Sequence, residues 1–303
     1  MAEPGRIVIA GGSGFIGRAL IELFTKAGDD VVVLSREGGK TPKGIRTMLW
    51  DGRTAGHWTR ELEDAKAVVN LSGEPVACLW TVANRKKIID SRVESTLAIG
   101  DAINKADKPP KVWLNTSAVG YYGNPGATQL TEEAGRGRDF LADVCFRWER
   151  AANNFETPET KRVILRMGQV LGQGGGILPP FVRQTEWFFG GRAGSGQQFV
   201  SWIHIRDLIR MARWTIENGK EGIYNATGPL PVTNASFMLS LRKVVGRPYC
   251  PPIPFWLIKL ATQFIHIEAE LAITGQNVIP KRALDEGFKF DFLNVDTALQ
   301  NLV

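Results

Sequence analysis

Cysteine and histidine are scarce in this chain. Only Cys78, Cys145 and Cys250, and His57, His204 and His266, stand among its 303 residues. Three cysteines without paired spacing argue against a disulfide framework and a zinc site. Three dispersed histidines make no metal site either, and no metal is expected. No uninterrupted apolar run is long enough to span a bilayer. The stretch 251–267 is apolar, but Pro254, Lys259, Gln263 and His266 interrupt it, and it reads as a buried helix. The first residues are already a strand and a turn, without signal-peptide or transit-peptide character. A cytoplasmic location and no membrane partner are therefore expected. Long basic runs are missing too. The formal charge is +6, with the basic residues scattered, which reads as a mildly basic surface and not a nucleic-acid footprint.

What is present is an alternation. Short β-branched runs at 6–10, 31–34, 67–71, 112–116 and 162–166 are separated by helical patterns at 15–27, about 84–105 and 141–155. This is the pattern of βαβ units around a parallel sheet. The fold class expected is α/β, a Rossmann-type doubly wound parallel sheet with a smaller, mostly helical C-terminal lobe. Residues 1–235 are assigned to the sheet domain, with substrate-side loops at about 172–200, and 236–303 to the smaller domain.

The strongest motif is GGSGFIG, in which Gly11, Gly14 and Gly17 are spaced three apart between an apolar strand and an amphipathic helix. That context suits a pyrophosphate. Gly11 permits the tight turn, Gly14 lets the backbone approach the phosphates past Ser13, and Gly17 lets the helix pack closely. The amides of Phe15 and Ile16 then face the anion at the helix N-terminus. The second strand ends in Ser35-Arg36, with no acid at the position that commonly holds a ribose 2′-hydroxyl. A hydroxyl and a guanidinium suit a 2′-phosphate, so NADP(H) is the expected cofactor. The alternative is that Arg36 is a surface residue and Glu37 binds the ribose.

Later segments carry a resemblance over nearly the whole chain. NLSGE at 70–74, Trp50-Asp51, SAVGYYG at 117–123, ILRMGQVLG at 164–172, WIHIRDL at 202–208 and IYNATG at 223–228 resemble the extended short-chain dehydrogenase/reductases, which include sugar-nucleotide epimerases. GSGQQFVSWIHIRD, DSRVEST and IPKRALDEGFKF are similar to an epimerase-like branch whose C-terminal domain has no known function; some of its members are called cell-division inhibitor-like. The resemblance implies that Asp51, Leu71, Ser72 and Gly73 lie at the adenosine and ribose, and Arg166 and Val170 toward the nicotinamide. Lys87 and Arg92, on the helix after NLSGE, are further candidates for phosphate or ribose. Dimers through sheet-domain helices are also implied, so a homodimer is a possible assembly.

The superfamily's chemistry uses a Tyr, a Lys four residues later that lowers the phenol's pKa, and a Ser. Aligned on Glu149, the Tyr and Lys positions hold Leu141 and Cys145. Ser117 keeps the serine position, and Tyr121 and Tyr122 follow it, which makes these three the catalytic candidates. Cys145 is read as a small buried residue, and His204 as structural, tied to Asp207 or to backbone. Arg183 and Arg192 are candidates to meet an anionic small-molecule substrate. Trp187, Phe188 and Phe189 are read as packing of the smaller lobe. Two functions stay open: an NADP(H)-dependent, epimerase-like oxidoreductase of unknown substrate, or a non-catalytic NADP(H)-binding redox sensor or partner-docking protein. The missing Tyr and Lys pair favours the second, while the retained serine, tyrosines and long substrate loops favour the enzyme, which is the reading preferred.

Overall fold

Strands apolar on both faces need cover on both faces, and the helices between them supply it. The computed structural model describes residues 3–37, 41–247 and 249–303. In chain order its first half contains β1 (Arg6–Ala10), α1 (Phe15–Lys26), β2 (Asp30–Ser35), β3 (Arg46–Leu49), β4 (Ala67–Asn70), α2 (Val82–Lys105), β5 (Val112–Ala118), β6 (Gln129–Leu130), α3 (Phe140–Asn153) and β7 (Lys161–Met167). There follow β8 (Gln169–Gly172), β9 (Gly175–Gly176), α4 (Leu178–Glu186), β10 (Phe199–Val200), β11 (Trp202–His204), α5 (Ile205–Glu217), β12 (Gly222–Ala226), β13 (Val232–Thr233) and α6 (Asn234–Val245). The C-terminal part holds α7 (Phe255–Ile265), α8 (Glu270–Ile273), β14 (Asn277–Val278), α9 (Lys281–Asp285) and α10 (Val295–Leu302).

The main sheet has seven strands in the order β12-β7-β5-β4-β1-β2-β3, and every pairing is parallel. The period of two along each strand splits the core. Ile7 and Ile9 of β1 face α1 and α5, with Leu20, Phe24 and Met211. Val8 and Ala10 face the opposite way, toward Ile99 and Ile103 of α2. Strand order reverses between β1 and β4, which opens a crevice at the carboxyl ends of those strands, where open α/β sheets bind ligands.

A third apolar cluster makes the smaller lobe. It gathers Leu178, Trp202, Phe237, Leu241, Phe292 and Leu299, and so runs across residue 236. The C-terminal residues are also tied back to the first 235: β14 pairs with β6 in a separate two-stranded sheet, and Asp207 of α5 accepts from the amides of Asp291 and Phe292 at 2.8 and 3.0 Å.

Three expectations are corrected here. The expected loop stretch at about 172–200 opens instead with regular structure: β8 and β9 form a hairpin, and α4 follows. Its glycines make room for the Phe15 ring, since a Cβ at Gly172 would lie 2.4 Å from Phe15 Cζ. Pro179 and Pro180 sit in the first turn of α4, where a missing N–H costs little. The second correction concerns 251–267, whose helix α7 is mostly exposed; among 255–260 only Ile258 is buried. Third, Trp187, Phe188 and Phe189 project into solvent and do not pack the lobe.

His204 is structural, as expected, through backbone and not through Asp207. It caps α5, its Nδ1 accepting from Arg206 N at 3.0 Å. Nε2 lies 3.2 Å from Asn301 Oδ1, and the ring stacks on Phe292. Burial holds its pKa down at about 4, with Arg206 adding to the shift and Asn301 and Asp291 opposing it. The folded state therefore keeps the ring neutral where the unfolded chain, near 6.5, takes a proton. Stability should fall as pH drops from about 6.5 to 4, by about 3 kcal/mol at the lower end. His204→Asn keeps a good capping side chain and should flatten that slope in urea melts. An unchanged slope would refute the assignment.

Candidate functional site

A groove of about 770 Å³ lies at the crevice. Ten of the expected cofactor residues line it: Gly11, Ser13 and Gly14 from the first turn, Ser35 and Arg36 at the end of β2, Asp51 after β3, Leu71, Ser72 and Gly73 after β4, and Lys87 of α2. Glu37, Trp50, Glu74 and Glu94 also line it.

The glycine turn is built as its spacing requires. Gly11 adopts φ +77°, a conformation that side chains resist. Gly14 is the N-cap of α1 and has no side-chain cap, so the first-turn amides, including those of Phe15 and Ile16, are left for an external acceptor. A Cβ at Gly14 would meet nothing closer than Gly11 O at 3.5 Å. A Cβ at Gly17 would fall 2.5 Å from Gly12 Cα, in fixed backbone. The two positions should therefore respond differently. Gly17→Ala should lower stability by about 1–3 kcal/mol through overpacking. Gly14→Ala should keep the melting temperature while weakening NADPH binding, because its methyl projects where the phosphates would approach. Thermal melts beside a nicotinamide titration separate the two, and equal behaviour would contradict the turn's geometry.

Arg36 is well exposed, and its Nη1 pairs with Glu74 Oε1 at 2.8 Å. Glu74 is held from behind: its N–H donates to Ser91 Oγ at 3.0 Å, and its carbonyl accepts from Arg92 Nη1 at 2.9 Å. Asp51 spends its carboxylate on its own turn, accepting from Arg53 N, Thr54 N and the Thr54 hydroxyl. Those bonds, led by the Thr54 amide, lower its pKa. Ser35 Oγ donates to Glu37 O at 2.9 Å.

Arg92, Arg166 and Val170 do not line the groove. Arg92 lies behind Gly73, bonded to the carbonyls of Glu74 and Ile88 and set 5.2 Å from the Trp148 ring; it shapes the NLSGE loop from beneath. Val170 is buried in β8. Arg166 belongs to a second constellation. Ser117, Arg166 and Asn225 share one register row across β5, β7 and β12. Glu149 of α3 closes it: Arg166 donates to both carboxylate oxygens at 2.8 and 2.7 Å, and Ser117 Oγ donates to Oε1 at 2.6 Å. Arg166 Nη1 donates to the Tyr122 hydroxyl at 2.9 Å, which donates to Asn225 Oδ1 at 2.7 Å. Burial alone would lower the Arg166 pKa, but Glu149 more than reverses this and raises it. Burial raises that of Tyr122. Both Ser117 and Tyr122 are buried and spend their protons within the protein.

Tyr121 differs. It is half-buried, and its ring centroid sits 3.5 Å from the Arg166 guanidinium carbon. Among the described residues its hydroxyl meets no hydrogen-bond partner. Cys145 is buried, its thiol pushed up to about 11 by burial and then by Glu149. Glu132 and Asn225 were not expected at the site; Glu132 Oε1 accepts from Asn225 N at 3.0 Å. They come from distant segments, and only the fold brings them together.

The chain matches the model of the NAD dependent epimerase/dehydratase family over residues 7–227. It belongs to that family. Residues 253–302 match a domain of unknown function, DUF1731. The chain is 34% identical over 305 residues to the epimerase family protein SDR39U1 of Bos taurus, covering 98% of this chain and 99% of the relative. It is 31% identical over 300 residues to the epimerase family protein YfhF of Bacillus subtilis, with 98% and 97% covered. Among solved structures, human SDR39U1 (isoform 2) with NADPH superimposes with a TM-score of 0.88 at 32% identity, covering 98% of each chain.

Proposed function

We propose that this family member binds NADP(H) and uses it in redox chemistry on a small-molecule substrate in the cytoplasm. The observation that carries the reading is Arg36 at the end of β2, in the groove that begins at the glycine turn. The NADPH in the human SDR39U1 structure supports the same choice of cofactor. The fit is physical: a glycine cradle with amides to spare, a guanidinium for the extra phosphate, and Ser72 and Gly73 as the groove's other wall. When bound, the nicotinamide would give or take a hydride.

For the accompanying proton the chain itself offers few donors. The thiol of Cys145 holds its proton at neutral pH, Leu141 has none, and those of Ser117 and Tyr122 are committed to Glu149 and Asn225. Tyr121 is therefore the group that gives a proton to a substrate oxygen, with Arg166 holding its ring. Glu149, which accepts from Ser117, holds that Arg166 guanidinium in place.

The test is a titration with NADPH and NADH followed by nicotinamide fluorescence, then NADPH oxidation across a panel of carbonyl compounds. NADPH should bind more tightly, and Tyr121→Phe should lose turnover by about 10²-fold or more, with NADPH affinity unchanged. No turnover with any carbonyl, or full turnover by Tyr121→Phe, would overturn the assignment.

A further inference from the structure

We propose that the smaller lobe docks peripherally on an anionic lipid bilayer through an aromatic and basic face. Two observations combine. Residues 187–206 and 222–267 contain six Lys or Arg and no Asp or Glu, so the whole formal +6 of the chain resides there and the rest balances. The same segments carry most of the exposed large apolar side chains of the described residues, with Trp187 68%, Trp256 66% and Phe264 75% accessible.

The two segments meet in space. Ile253 N donates to Arg192 O and Gly194 N to Ile253 O, each at 2.9 Å. Arg242 bonds Gly190 O at 3.1 Å, and Arg247 bonds Glu186 O while its guanidinium lies 4.7 Å from the Phe188 ring centroid. The face is held outward at a cost. Phe188 adopts φ +64°, a strained conformation for an aromatic residue, and its ring remains more than half exposed. The helix α7 turns Trp256, Leu260 and Phe264 to solvent and anchors through Ile258.

Aromatic rings interleaved with cations and free of acids match the interface of a negatively charged membrane. A second copy is a poor occupant, since it would oppose one positive face to another. Among the described residues no helix is long and apolar enough to cross a bilayer, so the contact is superficial. Glu186, Asp207, Glu221 and Glu268 flank the two acid-free segments and limit how far the face extends.

The full chain is floated with vesicles of phosphatidylcholine alone or with about 30 mol% phosphatidylglycerol. It should rise with the anionic vesicles, and less so as NaCl goes from about 0.1 to 0.5 M. Trp256→Ser with Phe264→Ser should cut the bound fraction about ten-fold. Leu293→Ser, an exposed apolar site elsewhere, should leave it unchanged. Retained NADPH binding by the variants shows that they fold. No flotation of the wild type, equal flotation of the double variant, or a vesicle-free dimer that the double variant dissolves would each overturn the proposal.

Discussion

Glu149→Gln is expected to cost about 3–5 kcal/mol of stability, the usual penalty for leaving one member of a buried ion pair without its partner. Arg166 and Glu149 are 2% and 5% exposed, so neither charge can turn to water. A glutamine cannot accept both guanidinium N–H bonds, and it leaves the Ser117 hydroxyl with a weaker acceptor. The loss should appear in urea unfolding as a lower midpoint with unchanged slope. The double replacement Glu149→Leu with Arg166→Met should recover much of the loss, because an apolar pair of similar volume needs no charge balance. It should still abolish turnover, because the support under Tyr121 is gone. A penalty below about 1 kcal/mol for Glu149→Gln, the worth of an exposed pair, would mean that the row of strand ends is held by something else.

Arg36→Ser should weaken NADPH binding by about 10- to 100-fold, the worth of hydrogen bonds to a charged group. NADH binding should not change, since it lacks the 2′-phosphate. Glu74 sharpens the test. Its carboxylate pairs with Arg36 at 2.8 Å and competes with a phosphate for the same guanidinium. Glu74→Gln should tighten NADPH up to about five-fold, the worth of an exposed pair, and leave NADH alone. Both effects should shrink as salt rises. Equal losses for the two coenzymes in Arg36→Ser would show that the guanidinium serves the groove's shape and not the phosphate.

Much of this was legible from local pattern. The motif GGSGFIG identified the turn because glycine spacing and a strand–helix boundary are properties of a short segment, and β1 runs over the residues expected of it. The strand β3 was missed because Arg46–Leu49 is an edge strand, partly exposed, without an apolar run. Arg92 and Arg166 were expected at the cofactor, since both are cations close to family-like motifs. Each instead spends its donors on protein acceptors. Sequence carries the charge of a side chain but not its partner.

The amino-acid order alone determined the α/β class, the pyrophosphate turn, the cation after β2, and the loss of the Tyr and Lys pair to Leu141 and Cys145. Periodicity, glycine spacing and residue identity are all short-range properties. The tertiary structure decided which polar groups are already satisfied. It tied Ser117 and Tyr122 into a buried network, left Tyr121 open, and turned the aromatics of α7 and 187–189 outward. Those outcomes depend on register across three strands and on which helix face finds a core, and residues more than a hundred positions apart settle both.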